Sequence, residues 1–132
     1  MKRLALVGAH PDDCDILGSG LAMRYRERGW PVLFVSMANG DAGHHEMSRA
    51  ALAARRKGET EAVAAMLDIE YVVMPTPDCE VMPSLEQRWE LIRVLRRFEP
   101  NLVHGFEPDF ITELSRHPGP RGMQMIVQPA GG

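Results

Sequence analysis

Four residues able to hold a metal or to move a proton lie within a six-residue stretch near the N-terminus. The stretch contains one imidazole and three carboxylates: His10, Asp12, Asp13 and Asp15. Burying several carboxylates together is costly unless a cation or protons neutralise them. An imidazole beside a carboxylate is a partial ligand set for zinc or another divalent first-row metal. The stretch therefore predicts a metal site with a spare carboxylate nearby.

Pro11 indicates how the ligands and the spare carboxylate are separated. Its ring stiffens the turn, so His10 and Asp13 can point in one direction while Asp12 points in another. We predict that His10 and Asp13 bind the metal and that Asp12 is a general base for the water that the metal activates. The competing interpretation is an acidic turn, with Asp13 or Asp15 near the positive N-terminus of the following helix.

Strand and helix patterns alternate over the first hundred residues, and these elements must position the site. Continuous apolar runs, typical of strands buried on both faces, cover residues 4–7, 32–35, 71–74 and, more weakly, 102–103. Helical spacing between them relates three sets of apolar residues: Leu17, Leu21 and Tyr25; Leu52, Val63 and Met66; and Leu85, Trp89, Ile92, Leu95 and Phe98. This alternation predicts an α/β fold, Rossmann-like and three-layered (α/β/α), with a mainly parallel sheet.

The predicted metal stretch follows the first strand, at the sheet edge where parallel sheets bind ligands. This position favours a functional site over a simple helix cap. The loop after the second strand contains Asp41 and then His44 and His45. Adjacent histidines point apart in most backbones, so we expect a substrate-facing loop with at most one participating imidazole. Asp78 follows the third strand, where a binding role and a plain proline-rich connection are equally compatible with the sequence.

Composition limits the classes of partner. The chain has 132 residues, 15 Lys or Arg against 18 Asp or Glu, and a formal net charge of −3. Duplex nucleic-acid binders usually carry a basic excess, so we expect no nucleic-acid partner. No apolar run is long enough to span a membrane. The two cysteines do not form a disulfide framework, which favours a reducing cytoplasm. A small-molecule partner is expected, and a homo-oligomer is compatible with the composition.

The pattern divides the chain into two parts. Residues 1–108 are expected to form one compact α/β domain. Residues 109–132 are rich in Pro and Gly and lack a clear period, so we expect an atypical tail, or a truncated or frame-altered version of a longer parent.

Four segments together resemble the LmbE-like, or PIG-L, de-N-acetylase family. They are Ala9-His10-Pro11-Asp12-Asp13, Asn39-Gly40-Asp41-Ala42-Gly43, Arg56-Lys57-Gly58-Glu59 and Pro100-Asn101-Leu102-Val103. The resemblance covers residues 3–108, with the segments in order and at compatible spacing. It implies a Rossmann-like fold, a divalent metal that is usually zinc, and hydrolysis of an N-acetyl group from an N-acetylglucosamine-type sugar conjugate.

The resemblance also implies roles for single residues. His10 and Asp13 would be metal ligands, Asp12 would be the catalytic base, and Arg56 and Asp41 would bind substrate. The family's last ligand belongs to an H-x-D-H motif, where this chain has His117-Pro118-Gly119-Pro120. His117 is therefore the candidate third metal ligand. The alternative function is a non-catalytic or inactive truncated family member that acts as a binding module.

Overall fold

The computed structural model describes residues 1–105, which form four strands and three helices in the predicted order. Their bounds are β1 Leu4–Gly8, α1 Asp13–Glu27, β2 Val32–Ser36, α2 Arg49–Leu67, β3 Glu70–Val73, α3 Leu85–Phe98 and β4 Leu102–His104. Within this range no helix is long and apolar enough to cross a membrane. The candidate ligand His117, the predicted boundary at residue 108 and the predicted tail 109–132 lie outside the described residues.

The four strands form one parallel sheet in the order β3-β2-β1-β4. The chain moves outward from β1 through β2 to β3 by way of α1 and α2, and α3 then returns it across the sheet to β4. Because such crossovers are right-handed, α1 and α2 lie on one face and α3 on the other. The predicted α/β fold is confirmed. The order in which strands are added reverses between β1 and β4 while all strands stay parallel, and doubly wound sheets bind ligands beyond the carboxyl ends of the strands at such a reversal of order.

Two apolar cores, one on each face of the sheet, make the architecture three-layered. On one face Ala5, Val7, Leu33 and Val35 pack with Leu91 and Phe98 of α3; on the other, Leu4, Leu6, Val32 and Phe34 pack with Cys14 and Ala22 of α1. Successive strand residues point to opposite faces. Since both faces are covered, every residue of β1 and β2 is buried, which is why these strands are continuous apolar runs in the sequence.

The buried face of α1 differs from the predicted one. Leu17 was expected to face the core but is 59% exposed, and the buried residues of the helix are Cys14, Gly18 and Ala22. The helix lies so close to the sheet that a Cβ on Gly18 would be 2.4 Å from Cδ2 of Leu6. Only small side chains fit at this distance, so the larger apolar residue is left on the outer face.

The predicted faces of α2 and α3 are also partly wrong. In α2, Leu52 is buried as expected, but Met66 is 82% exposed. In α3, Leu85 and Trp89 are exposed, and the buried residues are Leu91 and Phe98. The cause in α3 is that its last two turns make the contact with the sheet, so the apolar residues of its first turns remain outside the core.

The close approach of α1 to β1 gives a stability prediction. Replacing Gly18 with valine should lower the free energy of unfolding by about 1–3 kcal/mol, because the added methyl groups overpack the contact with Leu6. Gly20 lies in the same helix with open space around its Cβ position, so Gly20→Val is the matched control and should be nearly neutral. Urea unfolding followed by circular dichroism measures both. Equal effects of the two substitutions would contradict the packing explanation.

Candidate active site

The loop after β1 is a tight turn closed by the Asp13 side chain. Its Oδ2 atom accepts hydrogen bonds from the backbone N–H of Ala9 at 2.9 Å and of His10 at 2.8 Å. The Nδ1 atom of His10 lies 3.6 Å from the same oxygen. The structure therefore brings together the two predicted metal ligands, and it holds them with hydrogen bonds that lie within the turn itself.

The helix-capping interpretation is correct in placing Asp13 and Asp15 near the N-terminus of α1, since both lie in its first turn, but no side-chain capping hydrogen bond is formed there. The N-cap of α1 is Asp12, whose side chain makes no capping hydrogen bond. The Asp13 carboxylate binds the backbone of the preceding turn and not the helix N-terminus. Asp12 is exposed, so its carboxylate is accessible to a molecule placed at the edge of the sheet.

His10 and Asp13 stabilise each other's charged forms. Contact with the Asp13 carboxylate raises the pKa of His10, and this outweighs burial, which acts in the opposite direction. Burial by itself would raise the pKa of Asp13, but the neighbouring imidazole and the two backbone N–H groups lower it overall. Metal ligands must be deprotonated. A divalent cation bound here would therefore take the place of the imidazolium proton beside an ionised carboxylate.

A metal held by His10 and Asp13 would use the other carboxylate oxygen, Oδ1, because the backbone N–H groups of Ala9 and His10 occupy the lone pairs of Oδ2. The imidazole Nδ1 lies 3.6 Å from Oδ2, so one ion with bonds of roughly 2.0–2.2 Å could reach both side chains. Among residues 1–105 no group of three His, Cys, Asp or Glu side chains could hold a metal. The prediction that His10 and Asp13 bind a metal therefore needs at least one further ligand. The predicted third ligand, His117, belongs to the part of the chain that is not described.

Cys14 is not part of this ligand set. Its thiol lies in the core, 3.7 Å from the carbonyl oxygen of Leu6 and 3.8 Å from that of Val35. Burial raises the pKa of the Cys14 thiol far above its ordinary value. Such a thiol stays protonated, so Cys14 acts as a small packing residue of the core.

Gly40 connects the predicted metal turn to Arg56. Its φ of +76° is one that L side chains rarely adopt, and a Cβ there would be 2.9 Å from Cγ of Pro11 and 3.0 Å from Cγ of Arg56. The β2–α2 loop therefore packs against both the predicted metal turn and α2, with no room for a side chain at position 40. Arg56 is half-exposed and donates to Glu59 at 2.8 Å. This places the predicted substrate-binding arginine next to the turn.

Asp41 lies in the same loop, but its carboxylate points into the protein. It is 8% exposed, and its Oδ1 atom accepts hydrogen bonds from the backbone N–H of Asp78 and from Arg49, both at 3.0 Å. Its predicted role in binding substrate stays a prediction. The sequence left the role of Asp78 open and did not single out Arg49, since partners 37 and 8 residues away leave no local pattern.

His44 and His45 are exposed, and their rings stack in parallel with centroids 5.2 Å apart. The expectation that they point apart is wrong. The Nδ1 atom of His44 accepts hydrogen bonds from the backbone N–H of Glu46 and of Met47, which closes a small turn and holds the ring in place. This nitrogen is therefore occupied within its own loop.

The ionisation of Asp41 gives a prediction about acid stability. Burial would raise its pKa, but the bond to Arg49 and the N–H of Asp78 lower it below the ordinary value. A carboxyl group with a depressed pKa stabilises the folded state above its unfolded pKa of about 3.9, and this contribution is lost as the pH falls below that value. We expect Asp41→Asn to be less stable than the original protein at pH 7, with the difference shrinking below pH 4. Urea unfolding at several pH values tests this, and a pH-independent difference would contradict it.

Two curated and solved relatives share the fold and part of the sequence. The diacetylchitobiose deacetylase of Thermococcus kodakarensis is 28% identical over 124 residues, which are 92% of this chain and 46% of that protein. The N,N'-diacetylchitobiose deacetylase structure from Pyrococcus horikoshii superposes with a TM-score of 0.83 at 29% identity and covers 95% of this chain and 47% of the other. The chain thus spans about half the length of these relatives.

The fold is also similar to that of a protein with a different activity. GalB, the 4-carboxy-2-hydroxymuconate hydratase of Pseudomonas putida KT2440, superposes with a TM-score of 0.81 at 22% identity, over 96% of this chain and 54% of that one. This likeness shows the fold alone. Residues 5–119 match the sequence profile described as GlcNAc-PI de-N-acetylase, or PIG-L. Because that match covers most of the molecule, the chain belongs to the PIG-L family.

Proposed function

We propose that this chain carries the metal-binding half of a zinc-dependent deacetylase that removes an N-acetyl group from an N-acetylglucosamine-type sugar conjugate. The observation that carries the proposal is the pairing of His10 with Asp13 at 3.6 Å on a closed turn, with Asp12 exposed between them. This turn follows β1, the strand at which the order of strands in the sheet reverses. Membership of the PIG-L family and the two deacetylase relatives support the reaction type.

Each residue of the proposed site has a separate chemical task. His10 and Asp13 would hold the zinc ion, with His117 as the candidate third ligand. Zinc supplies Lewis acidity, which polarises the amide carbonyl and lowers the pKa of water. The Asp12 carboxylate would accept the proton that the attacking water loses. The guanidinium of Arg56, whose Nη1 donates to Glu59, has further N–H donors with which to bind the sugar.

A second candidate function is a non-catalytic binding module built on the same scaffold. It is favoured by the sequence His117-Pro118-Gly119-Pro120, which has Gly and Pro where the family resemblance implies an acid and a histidine. The hydratase has a similar fold and a different activity, so this architecture by itself does not determine the chemistry. The two candidates share the scaffold and differ in turnover, and loss of the third ligand would also weaken zinc binding by the binding module.

The two cysteines bear on the compartment in which the protein would act. Both Cys14 and Cys79 are free thiols, the first buried and the second exposed. Free thiols are typical of a reducing environment. We therefore propose a cytoplasmic location.

The test is release of acetate from N,N'-diacetylchitobiose by the purified chain loaded with Zn²⁺. We expect acetate release that stops when a chelator removes the metal and returns when zinc is added back. The zinc stoichiometry is measured on the same sample. Binding of one zinc ion without any acetate release would reject the deacetylase and support the binding module. Absence of zinc binding would also reject the deacetylase and favour the binding module.

A further inference from the structure

A reciprocal pair of buried aspartates ties the β2–α2 loop to the loop that follows β3. Asp78 is 5% exposed; its Oδ1 atom accepts from the backbone N–H of Gly40 and its Oδ2 atom from that of Ala42, both at 2.9 Å. In return, the backbone N–H of Asp78 donates to Oδ1 of Asp41 at 3.0 Å. We call this arrangement the Asp41–Asp78 clasp. Each carboxylate binds the backbone of the other's loop.

Arg49 adds a positive charge to the clasp. Its Nη2 atom donates to Oδ1 of Asp41 at 3.0 Å and lies 3.4 Å from the carbonyl oxygen of Asp78. Two buried carboxylates close together are costly unless hydrogen bonds and a counter-charge offset their desolvation. In the clasp, both carboxylates accept hydrogen bonds and Arg49 supplies the counter-charge. The cost would be avoidable with an apolar contact between the loops, which indicates that the exact placement of this backbone matters.

The segment held by the clasp is the one wedged between the metal turn and Arg56. Both oxygens of Asp78 hold the backbone on the two sides of Asp41, and at the first of these points, Gly40, an added Cβ would lie 2.9 Å from Cγ of Pro11 and 3.0 Å from Cγ of Arg56. A shift of Gly40 toward either neighbour would displace that neighbour. The separation between the metal turn and Arg56 therefore depends on where the clasp holds Gly40.

We propose that Asp78 is a positioning residue that sets the distance between the metal turn and Arg56 by fixing the loop between them. This assignment rests on the proposed function. In that function Arg56 binds the sugar while the metal turn holds the amide, and the distance between the two must match the substrate. A direct contact of Asp78 with substrate is the competing role. Its burial and the use of both its oxygens by backbone N–H groups argue against that role.

Steady-state kinetics with diacetylchitobiose separate these roles. Misplacement of a binding group by about 1 Å can cost up to roughly 100-fold, so we expect Asp78→Ala to raise KM about 10- to 100-fold. Asp78→Asn keeps one acceptor and should restore an intermediate value. In an Arg56→Ala background the same Asp78 substitutions should change KM by about twofold or less, because the residue being positioned is gone. The zinc Kd should stay unchanged throughout.

Gly40→Ala tests the same path without replacing either aspartate, although the backbone N–H of Gly40 is a donor to Asp78. The added Cβ would press on Pro11 and Arg56, so this variant should raise KM as Asp78→Ala does, and the two effects should not add. If Asp78→Ala raised KM by the same factor in the original protein and in the Arg56→Ala background, the positioning role would be overturned. A normal KM for Gly40→Ala would overturn it as well, provided that the variant folds with the original unfolding midpoint.

A readout without turnover distinguishes failure of this proposal from failure of the proposed function. In ¹H–¹⁵N spectra of the chain, Asp78→Asn should shift the amide resonance of Asp12 and the side-chain Nε resonance of Arg56. The exposed α3 residue Glu86, replaced in Glu86→Gln, serves as control and should shift neither. Shifts at both sites without any acetate release by the original protein would retain the positioning role and reject the deacetylase. Unmoved resonances would overturn the positioning role whatever the activity.

Discussion

Replacing Asp12 with asparagine is expected to lower kcat for acetate release about 10²- to 10⁴-fold, the range for removal of a general base. Asparagine has nearly the same shape but accepts no proton at neutral pH. Asp12 is exposed and its side chain makes no capping hydrogen bond, so the substitution removes no contact that holds the turn. The zinc Kd and the midpoint of urea unfolding should therefore remain those of the original protein.

The control for Asp12, the N-cap residue of α1, is an exposed carboxylate at the start of another helix. Glu86 occupies this position in α3, and Glu86→Gln should leave kcat unchanged. An Asp12→Asn variant that folds, binds zinc and keeps at least half of the original kcat would show that another group accepts the proton. In that case the assignment of the base would be wrong even if the protein is a deacetylase.

Removal of either proposed ligand should weaken zinc binding by at least about 100-fold. Loss of an outer partner of a metal ligand already costs roughly 10- to 100-fold, and loss of a ligand should cost more. His10→Ala removes an imidazole that is 41% exposed, so it should leave the free energy of unfolding nearly unchanged. Asp13→Ala also removes the acceptor for two backbone N–H groups and should lower stability by about 1–3 kcal/mol. Competition with a fluorescent chelator measures the Kd.

His45→Ala is the control for the metal ligands. Its imidazole is exposed in the neighbouring loop and stacks on His44, so its loss should not change the zinc Kd. Zinc binding that survives His10→Ala but is lost in His45→Ala would place the metal in the β2–α2 loop. The turn after β1 would then have only a structural role.

The sequence predicted those features that depend on neighbouring residues. The strands of the sheet centre are continuous apolar runs because both faces are covered, and this pattern identifies them without further information. The N-cap of α3 is likewise a local feature: Ser84 has the residue type typical of helix N-caps, and its Oγ atom accepts from the backbone N–H of Gln87 at 3.2 Å. The proposed metal pair was also predictable. His10 and Asp13 are three residues apart, so one turn of backbone is enough to bring them together.

What the sequence could not supply were distances between elements remote along the chain. The choice between Leu17 and Gly18 as the buried residue of α1 depends on how closely the helix approaches Leu6, which no helical period encodes. The clasp joins carboxylates 37 residues apart, and neither aspartate differs in its local sequence from an ordinary loop residue. The residues of the proposed chemistry were thus determined locally. Their spacing relative to Arg56 was decided by tertiary packing. It depends on Gly40, where an added side chain would press on both Pro11 and Arg56.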